Sequence, residues 1–245
     1  MYLSVVVPVH NEVENLRPLI DEINAALSGT EDFEIIYVDD GSTDGTLAAL
    51  KELLRQTPGL RVIEHRQCSG QSTALATGVR AARGAWIATL DGDGQNDPAD
   101  IPRLLEALHL LPLAHAQSGM VAGYRKKRQD SEWRRFSSRV ANAVRARLLG
   151  DDTPDTGCGL KVFSRELFLR LPYFDHMHRF LPALAQRAGA VVVSVEVNHR
   201  PRTRGVSKYG TWQRLKVGIV DMMGVMWLQI RAFNPEVLEH LDNER

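Results

Sequence analysis

The chain has 245 residues, of which 44% are hydrophobic and 24% charged, a composition that is ordinary for a globular protein. Lys plus Arg and Asp plus Glu number 30 each, so the chain lacks the net positive charge that is typical of nucleic-acid-binding proteins. Cys68 and Cys158 are the two cysteines and show no CxxC spacing, which argues against a disulfide scaffold or a structural zinc site.

Residues 3–90 alternate between apolar runs that predict buried strands and patterns that predict helices. The first run, LSVVV, is followed by further predicted strands at residues 33–38, 60–64 and 85–90. Helices are predicted at residues 14–27, from a cap at Ser42, Thr43 or Asp44 to about residue 56, and at residues 72–82. This order predicts a mostly parallel sheet with right-handed crossovers.

The rest of the chain is less regular. The predictions here are helix and loop at residues 107–118, a strand at 120–124, a helix with a basic face at 133–149, a short helix at 163–171 and a strand at 190–197. Residues 217–230 would form a helix about 21 Å long, which is too short to cross about 30 Å of hydrocarbon. Three interpretations stay open for it: a buried core helix, an interfacial helix on a bilayer, and a subunit contact.

Polar and acidic residues follow three of the predicted strands. His10-Asn11-Glu12 follows the first, Asp39-Asp40 ends the second and Asp91-Gly92-Asp93 follows the fourth. Ligands of parallel α/β sheets sit at the carboxyl ends of the strands, so these loops are expected to converge at one edge. Two carboxylates two positions apart suit Mg²⁺ or Mn²⁺, although such a pair alone is also typical of a simple acidic loop.

Two groups of basic residues are candidates for binding phosphate, because guanidinium forks match phosphate oxygens. A solvated surface would also explain these charges, and nucleic acid is a third interpretation, against which the balanced net charge and the absence of a recognisable motif argue. The first group is Arg125, Lys126, Lys127, Arg128, Arg134, Arg135, Arg139, Arg145 and Arg147, and the second is Arg200, Arg202, Arg204 and Lys208.

Five ordered motifs resemble those of the family 2 glycosyltransferases, and most of all their polyprenyl-phosphate branch, which includes enzymes similar to dolichol-phosphate mannose synthase. The motifs are SVVVPVHNEVENL, IIYVDDGSTDGT, TLDGDGQNDP, DTGCGLKVFSRE and RTRGVSKYG. The resemblance implies the α/β GT-A fold, with a Rossmann-like, mostly parallel central sheet flanked by helices, and a catalytic domain over residues 1–212. The chain departs from many members of this branch after that point: where they carry transmembrane helices, residues 213–245 are expected to form a C-terminal segment that contains an amphipathic helix.

The resemblance also implies an activity and the residues that carry it. The activity is inverting transfer of a sugar from GDP-mannose or a UDP-sugar to a dolichyl or undecaprenyl phosphate, in envelope or glycoconjugate biosynthesis. Asp91 and Asp93 are the implied metal ligands and catalytic residues, together with Asp155 in the acceptor motif. The implied nucleotide-sugar site comprises Pro8, His10, Glu12, Val38, Asp40, Asp91, Gly92, Asp93, Gln95, Arg125, Arg202 and Lys208, and the implied acceptor-phosphate site comprises Arg125, Arg134 and Ser138.

The chemistry of the acceptor decides whether a general base is needed. A lipid monophosphate is largely dianionic at neutral pH because its second pKa is about 6, so positioning would suffice. A hydroxyl acceptor would instead need a carboxylate such as Asp155 to take its proton. We expect the first case.

A polyprenyl acceptor requires access to a membrane. The N-terminus lacks the features of a signal peptide, and residues 217–230 are too short to span a bilayer, so the sequence predicts a cytoplasmic protein that is peripherally attached at the cytoplasmic face of the membrane. The basic face of residues 125–147 would attract anionic headgroups. A homo-oligomer or a membrane-protein partner remains open, and no nucleic-acid partner is predicted.

Two other functions compete with this interpretation. The first is a related glycosyltransferase that acts on a saccharide or another soluble acceptor. The second is a dinucleotide-binding module, which would place GxGxxG after the first strand where this chain has PVHNE. His176 and His178 lack further ligands nearby in sequence, which argues against a metal pair, and Cys158 is expected to serve packing.

Overall fold

A computed structural model describes residues 2–30, 32–111, 119–125, 145–151, 153–201 and 211–232, with the backbone alone over 211–216. Continuous β-branched runs form strands and apolar residues at helical spacing form helices. The strands are β1 (Tyr2–Val9), β2 (Asp32–Asp40), β3 (Leu60–His65), β4 (Trp86–Thr89), β5 (Met120–Tyr124), β6 (Lys161–Ser164) and β7 (Val192–Glu196). The helices are α1 (Leu16–Ala26), α2 (Thr46–Gln56), α3 (Gln71–Ala81), α4 (Ile101–His109), α5 (Arg165–Arg170), α6 (Leu181–Arg187) and α7 (Thr211–Ile230).

The strands form one mostly parallel sheet in the order β3-β2-β1-β4-β6-β5-β7. β6 runs antiparallel to both of its neighbours, β4 and β5, while the other described pairs are parallel. The carboxyl ends of β1, β2 and β4 therefore lie along one edge, which brings the acidic loops together. The predicted α/β class and the mostly parallel sheet are confirmed.

Helices cover both faces of the sheet and make two cores. α1, α2 and α4 pack on one face, with Leu16, Ile20 and Leu104 among the buried residues. α3, α5 and α6 pack on the other face, together with Val225 of α7. Central strands are buried on both sides, which is why β1 reads as an unbroken apolar run.

Two boundaries differ from the sequence predictions. Residues 161–164, which partly overlap the predicted helix at 163–171, form β6, and the helix begins only at Arg165, where the Ser164 hydroxyl accepts a hydrogen bond from the Leu167 amide. α4 begins at Ile101, earlier than the predicted helix and loop at 107–118, because a proline is tolerated in the first turn of a helix. Most of the predicted basic helix at 133–149 lies outside the described residues.

The C-terminal helix, α7, is held against the rest of the fold by polar contacts at three points. Arg187 Nε donates to the Leu228 carbonyl at 2.7 Å, and Gln229 Nε2 donates to the Leu149 carbonyl at 2.7 Å. His176 Nδ1 lies 3.3 Å from Asp221 Oδ2. Among the described helices, none has both the length and the apolar character needed to cross a membrane.

Candidate active site

Hydrogen bonds join the loop that follows β1 to the loop that follows β2. His10 Nδ1 donates to the Asp40 carbonyl at 2.7 Å, and the Glu12 amide donates to Thr46 Oγ1 at 3.0 Å. Asn11 has a positive φ of 57°, and its amide donates to Ser42 Oγ at 2.8 Å. His10 and Glu12, both predicted from the resemblance to bind nucleotide, are thus held side by side at the edge of the sheet.

Asp40, another predicted nucleotide ligand, is committed to the loop that precedes α3. Its carboxylate accepts hydrogen bonds at 2.8 Å from the Ser69 and Gly70 amides, and it lies 2.8 Å from His65 Nδ1. Burial alone would raise the pKa of Asp40, but the hydrogen bonds from His65 and the two amides lower it below its ordinary value. Both oxygens of Asp40 therefore hold the loop that precedes α3.

Gly41 lets this loop approach the end of β2. It has a φ of +65°, and a Cβ atom there would lie 2.5 Å from the Cys68 amide nitrogen. Only glycine fits both the left-handed backbone and the close contact.

Val38 and Asp39, the two residues that precede Asp40, are both buried but differ in what their side chains contact. Val38 is fully buried in the core on the α3 side, so the predicted nucleotide contact at this position would have to be made by its backbone. Asp39 was not among the predicted ligands, yet its Oδ1 is buried with no hydrogen-bond partner among the described residues. Successive residues of a strand point to opposite faces, so the sequence of the Asp-Asp pair alone could not indicate which of the two carboxylates would keep an oxygen without a hydrogen bond.

Asp91 and Asp93 lie where β4 leaves the sheet. The Asp91 amide donates to Asn96 Oδ1 at 3.0 Å, and Asp93 Oδ1 accepts from the Gln95 amide at 3.1 Å. Gln71 Nε2 donates to Asp91 Oδ1 at 2.8 Å. Burial first, and then the charge of Asp93, raise the pKa of Asp91 to about 6. The Asp93 charge is therefore close enough to act on Asp91, as expected for two carboxylates that bind one cation.

Two glycines near the carboxylate pair lie at positions where a side chain would clash with its neighbours. A Cβ atom at Gly159 would lie 2.3 Å from Asp91 Oδ2, and one at Gly92 would lie 2.4 Å from Val9 Cγ1. Gln71, the first residue of α3, was missed by the sequence reasoning because nothing local in the sequence connects it to Asp91.

Asp97, the third aspartate of TLDGDGQNDP, has a structural role. Its Oδ1 accepts from the Ala99 amide at 3.0 Å and from Arg200 Nη2 at 2.7 Å. It thereby caps the short 3₁₀ turn Pro98–Asp100. Gln95, which follows the carboxylate pair, accepts a backbone hydrogen bond from the Arg200 amide at 3.0 Å.

Arg125 and Asp155 form a buried, two-pronged ion pair. Arg125 Nε lies 2.6 Å from Asp155 Oδ2, and Nη2 lies 3.0 Å from Oδ1. Burial would lower the pKa of Arg125, but the hydrogen bonds and charge of Asp155 raise it above its ordinary value. The predicted phosphate ligand and the predicted acceptor-motif carboxylate are thus direct partners.

The loop between Asp155 and β6 is held by two further buried cations. Arg145 donates to Thr156 Oγ1 and, at 2.7 Å, to the Thr153 carbonyl, and Lys161 Nζ donates to the carbonyls of Thr156 and Cys158. Burial lowers the pKa of Lys161, while the nearby charges of Cys158, Asp91 and Asp155 oppose that shift. Cys158 itself is buried in the core, in agreement with the packing role expected for it.

A cavity of about 350 Å³ lies between these groups. Its size is in the range of small-molecule sites. The walls come from the ends of β1 and β4, the start of α3, the loop 155–159 and the turn before α6; the polar residues among them are Gln71, Thr89, Asp91, Asp155, Thr156, Lys161, His178 and Arg179. Four of the predicted site residues, Arg134, Ser138, Arg202 and Lys208, lie outside the described residues.

The comparisons with known proteins agree on one family. Residues 4–171 match the model of "Glycosyl transferase family 2". The chain is 39% identical over 232 residues to dodecaprenyl-phosphate galacturonate synthase of Rhizobium johnstonii, which covers 92% of this chain and 66% of that protein. It is 35% identical over 212 residues to undecaprenyl-phosphate 4-deoxy-4-formamido-L-arabinose transferase of Edwardsiella ictaluri, covering 85% of this chain and 63% of that protein. The chain thus spans just under two thirds of the length of these relatives.

Solved structures show the same fold. Glucosyl-3-phosphoglycerate synthase from Mycobacterium tuberculosis, in complex with Mn²⁺, UDP and phosphoglyceric acid, matches with a TM-score of 0.68 and 20% identity over 95% of this chain and 80% of that one. A mannosyltransferase from Pyrobaculum calidifontis, in complex with GDP-Man and Mn²⁺, matches with a TM-score of 0.61 and 21% identity over 95% of this chain and 65% of that one.

Proposed function

The chain belongs to glycosyl transferase family 2, and from this premise we propose that it transfers a sugar from a nucleoside diphosphate sugar to a polyprenyl phosphate, with inversion at the anomeric carbon. The observation that carries the proposal is the position of Asp91 in the wall of a cavity that is also lined by Asp155, Lys161 and Arg179. Asp93 is close enough for its charge to raise the pKa of Asp91, and Asp155 is paired with Arg125. The curated relatives, whose names describe polyprenyl-phosphate sugar transfer, support the choice of acceptor.

The donor set fits a hard divalent cation. No cluster of three or more His, Cys, Asp or Glu side chains occurs among the described residues, so Asp91 and Asp93 would supply two ligands, and water and phosphate oxygens would supply the others. Mg²⁺ and Mn²⁺ accept this mixture. Such an ion, when bound, neutralises negative charge on the departing diphosphate. Burial, followed by the charge of Asp93, raises the pKa of Asp91, and a bound cation would offset both effects.

The remaining groups of the site would position the acceptor. Arg125 uses Nε and Nη2 on Asp155, which leaves Nη1 to contact an anion. Both Asp155 oxygens accept hydrogen bonds from Arg125, so Asp155 is better placed to hold that arginine than to take a proton. A dianionic phosphate needs no general base, and this assignment of roles is consistent with such an acceptor.

A membrane surface is the partner that the C-terminal helix fits. α7 leaves apolar side chains exposed on one side, with Trp227 59% and Ile230 79% exposed, and the exposed Arg231 follows directly. His176 ties α7 to the turn whose next residues, His178 and Arg179, line the cavity. A lipid acceptor that enters the cavity would therefore keep its chain near this apolar side. We place the enzyme at the cytoplasmic face, where nucleotide sugars are available.

The test is a transfer assay with the purified chain. Nucleotide sugars are first screened by thermal shift with and without Mn²⁺, since a ligand that binds the folded state raises its melting temperature. The donor that stabilises the chain is then incubated with undecaprenyl phosphate in detergent or with soluble phosphate and saccharide acceptors. Formation of a polyprenyl-phosphate sugar supports the proposal, whereas transfer to a soluble acceptor alone contradicts it.

A further inference from the structure

His178 is a largely enclosed histidine in the cavity wall, and the proposed reaction assigns it no role. It lies in the 3₁₀ turn Met177–Arg179, just before α6, and its side chain lines the same cavity as Asp91 and Lys161. The sequence offered it only as one half of an unconvincing metal pair with His176. In the structure the two rings are 6.5 Å apart, and His176 instead faces Asp221.

The contact with Ser72 determines which ring nitrogen of His178 carries the proton. Ser72 Oγ lies 3.3 Å from the His178 amide nitrogen and 2.7 Å from His178 Nδ1. The amide can only donate, so the serine oxygen accepts there. Among the described residues Nδ1 is the one acceptor within reach of the serine hydroxyl hydrogen, so we assign that hydrogen to the bond with Nδ1. Nδ1 is then the acceptor, and the proton of the neutral ring sits on Nε2.

The surroundings keep this ring neutral. Burial, followed by the charges of Arg179, Lys161 and His176, lowers the pKa of His178 to about 3. Arg179 is its neighbour in the turn, Lys161 faces it from β6 and Ser72 from α3. A neutral ring with its proton on Nε2 cannot ligate a metal through that atom and adds no charge for a phosphate, but it can donate one directed hydrogen bond.

We propose that His178 Nε2–H donates a hydrogen bond to an oxygen substituent on the ring of the transferred sugar, which makes His178 a specificity-determining residue. The inference rests on the proposed function. Asp91 lines the same cavity as His178, so a sugar linked to a diphosphate at Asp91 would come within reach of the His178 ring. A site built to hydrogen-bond a substrate oxygen strongly rejects analogues that lack it, because the protein donor is then left unpaired.

The experiment compares His178→Leu, which removes the donor, with His178→Gln, which retains an N–H near the position of Nε2. Titration calorimetry in the presence of Mn²⁺ measures the affinity for the free nucleoside diphosphate, for the matching nucleotide sugar and for analogues that lack one sugar hydroxyl each. We expect the wild type to disfavour one deoxy analogue by about tenfold or more. We expect His178→Leu to lose that difference, His178→Gln to keep part of it, and all three proteins to bind the free diphosphate equally.

The outcomes separate the two proposals. If the wild type transfers sugar to polyprenyl phosphate but His178→Leu discriminates as the wild type does, only this inference is overturned. A wild type that binds no nucleotide sugar overturns this inference together with the proposed function. Long-range ¹H–¹⁵N correlation spectra of the wild-type chain give a test that needs no variant. A proton on Nδ1 of His178 would overturn the proposal, and a proton on Nε2 supports it.

Discussion

Arg125 and Asp155 join the end of β5 to the loop before β6 through a guanidinium–carboxylate pair with distances of 2.6 and 3.0 Å. The two residues are 30 positions apart in the chain and both are buried or nearly so. Asp155 was considered from the sequence as a general base, and its pairing with Arg125 predicts a different effect of its substitution.

We predict that Asp155→Asn acts through Arg125. The substitution leaves a buried guanidinium without its counter-charge, which should lower the free energy of unfolding by about 3 kcal/mol. Turnover should fall, but the acidic limb of the pH–rate profile should keep its wild-type position. Urea denaturation and the pH profile are the measurements, with Asp32→Asn at an exposed position as the control. Loss of the acidic limb in a stably folded variant would show that Asp155 is the base.

We predict that substitutions of Asp91 and Asp93 impair metal binding, whereas a substitution of Asp97 impairs only stability. Asp91→Asn or Asp93→Asn should abolish the Mn²⁺-dependent part of the thermal shift with a nucleoside diphosphate and lower kcat by about 10²-fold or more. Asp97→Ala removes the cap of the turn and the charge that faces Arg200, so it should lower the melting temperature yet keep the Mn²⁺-dependent shift. Equal behaviour of the three variants would contradict the assignment of the metal ligands.

Gly159 should not tolerate a side chain. An added Cβ would lie 2.3 Å from Asp91 Oδ2, so Gly159→Ala has to displace the carboxylate or the loop. We expect it to weaken Mn²⁺-dependent nucleotide binding by about tenfold or more, a loss equivalent to one displaced charge-assisted contact. Gly157→Ala is the matched control in the same loop, where the nearest atom, Arg125 Nη2, would be 3.4 Å away. Equal affinities in both variants would contradict the close contact.

We expect Glu34 to make the free energy of unfolding fall as the pH drops into the acidic range. Burial would raise its pKa, but hydrogen bonds from Ser4 and the Arg83 amide, together with Arg61, lower it below 4.5. A carboxyl whose folded-state pKa is depressed stabilises the fold above its unfolded-state pKa and loses that contribution as the pH falls through the folded-state value. Urea midpoints measured from neutral pH to below 4.5 should therefore drop more steeply for the wild type than for Glu34→Gln.

The exposed side of α7 should bind lipid. Replacing Val220 and Trp227, which are 64% and 59% exposed, by Ser should reduce flotation with anionic liposomes while leaving the melting temperature nearly unchanged, because neither side chain is in the core. Val225→Ala is the contrasting control: Val225 is buried, so this change should lower stability and leave flotation intact. A wild type that stays at the bottom of the gradient would contradict the membrane proposal.

Local sequence patterns predicted most of the strands and helices in the first half of the chain. The runs that became β1 to β4 are apolar without interruption because both faces of a central strand are buried, and each strand boundary was predicted to within a few residues. β6 was missed because its four residues run straight into α5 without a turn residue between them. The start of α4 was missed because Pro98 and Pro102 resemble loop residues until the first turn of a helix is recognised.

The sequence alone determined that acidic loops would meet at one edge of a parallel sheet, since strand direction follows from the alternation of strands and helices. It could not determine which carboxylates stay available. Asp40 is taken up by the loop before α3, Asp97 by a turn and Asp155 by Arg125, while Asp91 remains in the cavity wall. His178 and Ser72 meet across 106 positions of the chain. Such pairings depend on how distant elements pack, and packing leaves no periodic pattern in the residues that it brings together.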